Sequence, residues 1–267
     1  LTGDQPAIEA LASSVGFRYV FDQASQQYVH ASALMVLTPD GRVKLIDCAV
    51  HGTDSGAELF VVEGESAAAS VAAVRSARFQ AVLPLQGKPM NAWRASADKV
   101  RAHALYQQFA SAMGMADATA LAQADAEVVA VAVAALRFER VVLLMDPDAD
   151  GIHIGALALL YLHRWAPVLI DAGRVDMARA PMFVLEPLGT GTGQPATLAY
   201  NPKQSQALQA AMALQHGVAP SVQAVRGLGS IAPQLLAALC VDPASRTNTT
   251  VTANDVRAVV AVFGALG

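Results

Sequence analysis

The stretch Val141-Val-Leu-Leu-Met-Asp146-Pro-Asp148-Ala-Asp150-Gly151 drives an apolar run straight into three carboxylates at alternate positions. So short a run without polar alternation reads as a β-strand covered on both faces. Its charged end must then emerge at the rim of the sheet, where Gly151 begins a helix. In open α/β sheets ligands sit beyond the carboxyl ends of strands. Alternate carboxylates at such a place converge on a hard cation, and Mg²⁺ takes a few of them together with several waters. One aspartate is enough to cap the following helix. Three crowded together repel one another unless a cation compensates. The stretch therefore points to an α/β fold and to a metal site made of Asp146, Asp148 and Asp150.

A second stretch, Leu59-Phe-Val-Val-Glu63-Gly64-Glu65-Ser66-Ala67, repeats the logic: a strand ending in a carboxylate, a glycine that allows a sharp turn, and a helix start. Glu63 stands where a general acid/base or a metal ligand belongs, and with the aspartates it completes a Glu plus DxDxD set. Alone it would read as a helix cap. Further apolar runs at 79–83 and 175–178 alternate with Ala-rich helical stretches at 66–76, 98–113, 125–136 and 153–172, the last ending at Gly173. A parallel sheet flanked by helices is the economical arrangement. Residues 1–50 read as a small α/β element: a short helix stopped by Gly16, strands at 17–21, 33–37 and 42–46, and a turn at Thr38-Pro39-Asp40-Gly41. Residues 191–267 read as a mostly helical tail, with helices at 202–216, 232–240 and 253–265. The expected divisions are thus 1–50, 51–190 and 191–267. Gly189-Thr-Gly-Thr-Gly193 looks like a nucleotide-binding string, but Pro195 follows where a phosphate-binding helix should open, so it is read as a flexible turn.

Two other loop types share the acidic string. An EF-hand needs a bidentate glutamate in the twelfth place, which counted from Asp146 is Leu157, and it follows a helix. Haloacid-dehalogenase-like phosphatases open with DxDx(T/V), whereas the fifth place here is Asp150; this survives as a runner-up.

The motifs together resemble the TOPRIM fold and, more narrowly, the B subunits of the type IIA topoisomerases, bacterial DNA gyrase and topoisomerase IV. Lys44-Leu-Ile-Asp-Cys48 resembles KLADC, Glu63-Gly-Glu-Ser-Ala67 resembles EGDSA, and residues 78–88 resemble RFQAILPLRGK, with Asn91 following as in GKxLN. Residues 146–154 resemble DADVDGSHI, and residues 166–178 resemble PLIERGHVYIA. In the tail, Arg226-Gly-Leu-Gly229 and Asp242-Pro-Ala-Ser-Arg246 resemble YKGLGEM and DPESR. The similarity runs in order from about residue 43 to 266 and implies a Rossmann-like TOPRIM sheet with a helical tail. It implies that Glu63 is the general acid/base at a scissile phosphodiester and helps bind metal. Asp146, Asp148 and Asp150 would hold one or two Mg²⁺, or Mn²⁺, during DNA cleavage and religation. The attacking tyrosine would come from a partner A subunit, since Tyr19, Tyr28, Tyr106, Tyr161 and Tyr200 lie in no matching context. His153 matches the family's SHI histidine and is read as packing at a helix start. The other histidines form no ligand spacing, and Trp93 and Trp165 are read as packing residues.

The departures concern phosphate contacts. The family's glycine pair is Ala68-Ala69, its lysine is Ala72, and its arginine before Gly-Lys is Gln86. Lys88, Arg75, Arg78 and Arg226 remain as candidate DNA contacts. Lys+Arg 18 against Asp+Glu 22 gives a net charge of −4, so bulk charge offers a polyanion no attraction and weak DNA binding is expected. No nucleotide-binding domain precedes residue 43, so the chain is expected not to bind ATP itself. A second reading is a stand-alone, non-catalytic relative that binds an A subunit or DNA and regulates it. The expected partners are DNA and an A-type subunit, not a membrane, because no apolar stretch approaches the ~20 residues of a bilayer span. Cys48 and Cys240 show no CxxC spacing, which fits a reducing cytoplasm, in association with the nucleoid. With 54% hydrophobic residues the chain is too apolar for disorder, and because it starts at Leu1 without an initiator methionine it is read as a possible piece of something longer.

Overall fold

A computed structural model describes residues 19–22, 27–30, 35–37, 43–115, 118–122, 124–187 and 196–263. The strands up to the site are β1 (Tyr19–Asp22), β2 (Gln27–His30), β3 (Met35–Leu37), β4 (Val43–Ile46), β5 (Glu58–Glu63), β6 (Gln80–Leu85) and β7 (Arg140–Leu144). They are followed by β8 (Val175–Ala178), β9 (Phe183–Glu186), β10 (Thr197–Ala199), β11 (Ser221–Ala224) and β12 (Asn248–Thr250). The helices are α1 (Gly64–Ala72), α2 (Ala97–Ala102), α3 (Ala104–Met113), α4 (Ala118–Leu121), α5 (Ala126–Ala134) and α6 (Ala149–Trp165). After them come α7 (Pro167–Asp171), α8 (Pro202–His216), α9 (Pro233–Leu236) and α10 (Ala253–Phe263).

The central sheet has seven strands in the order β12-β8-β7-β5-β6-β4-β3. Its middle is parallel: β5 pairs with both β6 and β7, and β7 with β8. The parallel strands are buried along their length, as a sheet covered by helices on both faces requires. Side chains alternate between two cores. Leu59, Val61, Leu83, Val141 and Leu143 pack with Tyr106, Phe109 and Met113 of α3 and Val256 of α10. Phe60, Val62, Val82, Val142 and Leu144 pack with Ala67, Ala68 and Val71 of α1 and with Leu228, Leu236 and Cys240 of the tail. Each such fully buried large side chain contributes roughly 1.5–3 kcal/mol. The tail is therefore one cover of the sheet.

Two buried acids fasten the tail further. Glu58, at the start of β5, pairs with Arg246 and accepts from Gln80 Nε2 at 2.8 Å. Asp176 in β8 pairs with Arg140 at 3.0 Å and accepts from Asn248 Nδ2 at 2.8 Å and Thr250 Oγ1 at 2.7 Å, which seats β12 on the sheet edge.

Several elements differ from the sequence expectation for identifiable reasons. The helix expected over 98–113 is two, divided at His103, whose extended backbone (φ −79°, ψ 119°) ends α2 and starts α3. The helix expected over 153–172 begins at Ala149, because Asp148 caps it, and breaks at Ala166. Pro167 has no N–H and disfavours helical backbone before it, so it opens the new helix α7 instead of continuing α6. The tail is less helical than expected. β9 is flanked by β10 and β11 in a separate antiparallel sheet, and β12 joins the central one. The expected helix over 232–240 is the short α9 followed by a π-turn at Ala237–Val241. The strands expected at 33–37 and 42–46 pair antiparallel as β3 and β4. The helix before Gly16, the turn at 38–41 and the glycine string at 189–193 lie outside the described residues.

Candidate metal centre

β5 and β7 run side by side in register, with Val62 opposite Leu144, so both chains leave the sheet at the same end. Strand neighbours lie about 4.8 Å apart, and this places Glu63 beside the loop that carries the aspartates. Glu63 closes β5 in extended backbone and stands at the N-cap position of α1 without capping it. Gly64 then turns the chain at φ 73°, a conformation that L side chains rarely adopt. Oε2 of Glu63 is buried and makes no hydrogen bond.

Asp146 follows β7, and its Oδ1 accepts the Leu228 backbone N–H at 3.0 Å from the tail. Asp148 is the N-cap of α6 and accepts the Gly151 N–H at 2.8 Å, so for this residue the capping role holds. Asp150 sits exposed in the first turn of α6, 2.7 Å from Lys88 Nζ. Gly151 has no room for a side chain: a Cβ there would lie 2.2 Å from the Asp146 carbonyl oxygen. The first turn of α6 thus folds back against the strand end and concentrates the acids.

The charges respond accordingly. Burial raises the Glu63 pKa, and the negative charges of Asp146, Asp148 and Asp150 raise it further, against a smaller lowering by Lys88. Burial also raises that of Asp146, opposed by the Leu228 N–H. Asp150, bonded to Lys88, is held low. Two half-buried acids whose pKa values are raised, one of them with an orphaned oxygen, stand near two more carboxylates in a region short of positive charge. The donors are all oxygens, the ligand chemistry that suits Mg²⁺ or Mn²⁺, although among the described residues no three of these acids bring their oxygens within 4.8 Å of one another.

The Toprim domain family matches residues 58–179, a range that contains β5 through β8 and all four acids. Residues 58–179 are a Toprim domain. Beyond it, the chain is 32% identical over 203 residues to the B subunit of DNA gyrase from Thermus thermophilus, covering 76% of this chain and 30% of that protein. It is 33% identical over 209 residues to the B subunit of DNA topoisomerase 4 from Caulobacter vibrioides, covering 78% and 28% respectively. The gyrase B subunit of Halalkalibacterium halodurans is 30% identical over 232 residues, 87% of this chain and 33% of that one. The chain is a diverged relative of these B subunits, and it spans about a third of their length.

Around the Toprim acids, the four candidate DNA contacts are placed differently. Arg78 and Arg226 are exposed, and Lys88 is paired with Asp150. Arg75 is folded inward: its Nη1 donates to the Gln80 carbonyl, its Nε is buried without a partner, and burial lowers its pKa. Gln86, which replaces an arginine of the resemblance, donates to Glu65 Oε1 at 2.9 Å. His153 stacks on Phe263 at 5.6 Å, Trp93 stacks on His163 at 5.5 Å, and Trp165 Nε1 donates to the Ala92 carbonyl at 3.1 Å, all packing roles.

Two features were not legible in the spacing of the motifs. One is the Leu228 N–H on Asp146, a backbone contact that leaves no side-chain signature. The other is a group of Asp47, Cys48 and His51 whose donor atoms lie within 4.8 Å of one another. The Arg137 guanidinium already occupies it, donating to Asp47 Oδ2 and lying 3.0 Å from His51 Nε2. Burial works to raise the Asp47 pKa, but hydrogen bonds from His51, the Cys48 N–H and Arg137 hold it low. This is a guanidinium-centred network that ties the loop after β4 to Arg137 before β7. Among the described residues, no helix is long and apolar enough to cross a membrane.

Proposed function

We propose that this chain is the Toprim module of a type IIA topoisomerase B subunit, which binds one or two Mg²⁺ and takes part in DNA cleavage and religation with a tyrosine-bearing A subunit. The observation that carries this reading is the buried, unpartnered Oε2 of Glu63, at the end of a strand parallel to β7 and within electrostatic reach of Asp146, Asp148 and Asp150, which raise its pKa. In the reaction, the partner's tyrosine hydroxyl loses its proton to solvent and attacks phosphorus, and the O3′–phosphorus bond breaks. Glu63, with its pKa raised, donates a proton to the departing 3′ oxygen and takes it back when the hydroxyl attacks the phosphotyrosine on religation. Asp146, Asp148 and Asp150, with Glu63 when it is ionised, would hold the metal, which when bound would stabilise charge on the phosphate. Asp148 also fixes the start of α6, and Lys88 keeps Asp150 ionised and gives the rim a cation.

Isothermal titration of the chain with MnCl₂ tests the site. Binding should be detected at millimolar metal or below and be lost in Asp148→Asn. A saturating metal concentration of 100 Kd should stabilise the fold by about 2.7 kcal/mol. Absence of binding, or an Asp148→Asn variant that binds as wild type does, refutes the assignment.

The second reading, a non-catalytic relative that binds an A subunit or DNA and regulates it, draws support from the lost cations: Gln86 is bonded to Glu65 and Arg75 is folded inward. Mixing the chain with a purified gyrase A subunit and supercoiled DNA separates the two readings. Mg²⁺-dependent cleavage that Glu63→Gln abolishes supports the first, and association without cleavage supports the second.

A further inference from the structure

We infer that the Gly227–Leu228 segment of the tail is a positioning element of the Toprim acids, holding the Asp146 carboxylate in the orientation that receives metal. The inference rests on the metal reading above and adds to it a residue pair 82 positions away in sequence.

Three observations carry it. The Leu228 N–H donates to Asp146 Oδ1 at 3.0 Å, which fixes rotation of the carboxylate about its Cβ–Cγ bond. Leu228 itself is 1% exposed and anchored in the core that includes Phe60, Val62 and Leu144 on β5 and β7, so the donor cannot drift without unpacking the sheet face. Gly227 has an extended backbone (φ 175°) open to any residue, so the turn does not require glycine there. The constraint comes from Asp146: a Cβ on Gly227 would lie 3.0 Å from Oδ2, 3.5 Å from Cγ and 3.6 Å from Oδ1, so the carboxylate would have to move by a few tenths of an ångström. The absent side chain leaves space for the carboxylate. Ser230 stiffens the turn, its Oγ donating to the Gly227 carbonyl at 2.7 Å and accepting the Arg226 N–H at 3.2 Å. Gly229, two residues on, faces α1 instead, with a virtual Cβ 3.3 Å from Ser70 Oγ.

Partners that orient a metal ligand without touching the metal are worth 10–100-fold in affinity, so Gly227→Ala should weaken Mn²⁺ binding by roughly that factor. The experiment is Mn²⁺ titration of the whole chain, followed by electron paramagnetic resonance of the free ion, for wild type, Gly227→Ala, Gly229→Ala and Asp146→Asn. The expected result is a loss of about 10–100-fold in Gly227→Ala and of at most about twofold in Gly229→Ala. A purely structural role for the tail would weaken both glycine variants alike, and that outcome overturns the inference. So does an unchanged Gly227→Ala. A measurement on wild type alone guards against a variant that fails to fold: in ¹⁵N-edited spectra with diamagnetic Mg²⁺, the Leu228 amide resonance should shift along the same binding curve as the bulk of the site. A Leu228 resonance that does not move overturns the inference. The underlying metal reading fails separately, and recognisably, if Asp146→Asn binds Mn²⁺ as wild type does.

Discussion

Replacing Gly151 by alanine tests how the first turn of α6 builds the site. The added Cβ would lie 2.2 Å from the Asp146 carbonyl oxygen and 3.0 Å from both the carbonyl carbon and the nitrogen of the same residue. All three atoms are backbone, so no rotamer change relieves the overlap; either α6 or the end of β7 must shift. Overpacking of this kind costs about 1–3 kcal/mol, and contact with rigid backbone puts it at the upper end. Alanine gains about 1 kcal/mol over glycine in helix propensity. The net loss is then about 2 kcal/mol, and for a chain of this size, at roughly 2–4 °C per kcal/mol, a melting temperature lower by about 4–8 °C. The shift falls on two of the proposed metal ligands at once, because Asp146 is the residue displaced and Asp148 caps the helix through the Gly151 N–H. Mn²⁺ affinity should therefore fall by at least about tenfold. Thermal melts followed by circular dichroism and calorimetric titration measure the two effects. A Gly151→Ala chain that melts with wild type and binds Mn²⁺ equally would refute the reasoning that close approach of α6 assembles the cluster.

Glu63 provides a pH test in metal-free buffer. Its folded pKa is raised by burial and by the neighbouring carboxylates, so its contribution to stability is full below the unfolded carboxylate value and is lost as pH rises through the folded one. Glu63→Gln should therefore melt higher than wild type at about pH 7 and equally below about pH 4; a difference that does not depend on pH would contradict the assignment. Arg246 and Glu58 are 4% and 6% exposed in their side chains, and breaking such a buried pair from one side costs about 3–5 kcal/mol. Arg246→Ala should lose that much in urea unfolding, and Arg246→Met combined with Glu58→Gln should recover part of it; an Arg246→Ala variant within about 1 kcal/mol of wild type, on the scale of an exposed pair, would show that the contact does not fasten the tail. For DNA, the Ala72→Lys, Gln86→Arg double variant should tighten binding and steepen the salt dependence of log affinity by about 0.9 per added phosphate contact, and an unchanged slope in a fluorescent-duplex titration would mean that these positions do not face DNA.

The strand β7 and its acids were legible in sequence because their physics is local. A short apolar run next to carboxylates has one comfortable arrangement, buried strand and exposed rim, whatever surrounds it. The same holds for Glu63 and Gly64, for α8 and for β8. Breaks within helices were harder. The helical pattern runs through His103 and Ala166, and the local restriction imposed by Pro167 outweighs it only at the second of these. The short strands β9 to β12 carry too few residues for a period-two pattern to stand out; pairing partners from elsewhere in the chain define them.

Composition, alternation and motif order thus determined the α/β class and the two strand ends at which the four proposed acids stand. Tertiary structure alone decided that β12 closes an edge of the central sheet, that Arg75 turns inward while Lys88 meets Asp150, and that a backbone N–H of the tail settles on Asp146. The reason is one of range. A strand or a cap is specified by neighbours a few residues away, whereas burial of an arginine and the pairing and orientation of a carboxylate depend on which distant surface covers them. Here that surface is a tail 82 residues further along the chain, brought into place by the apolar face of the sheet.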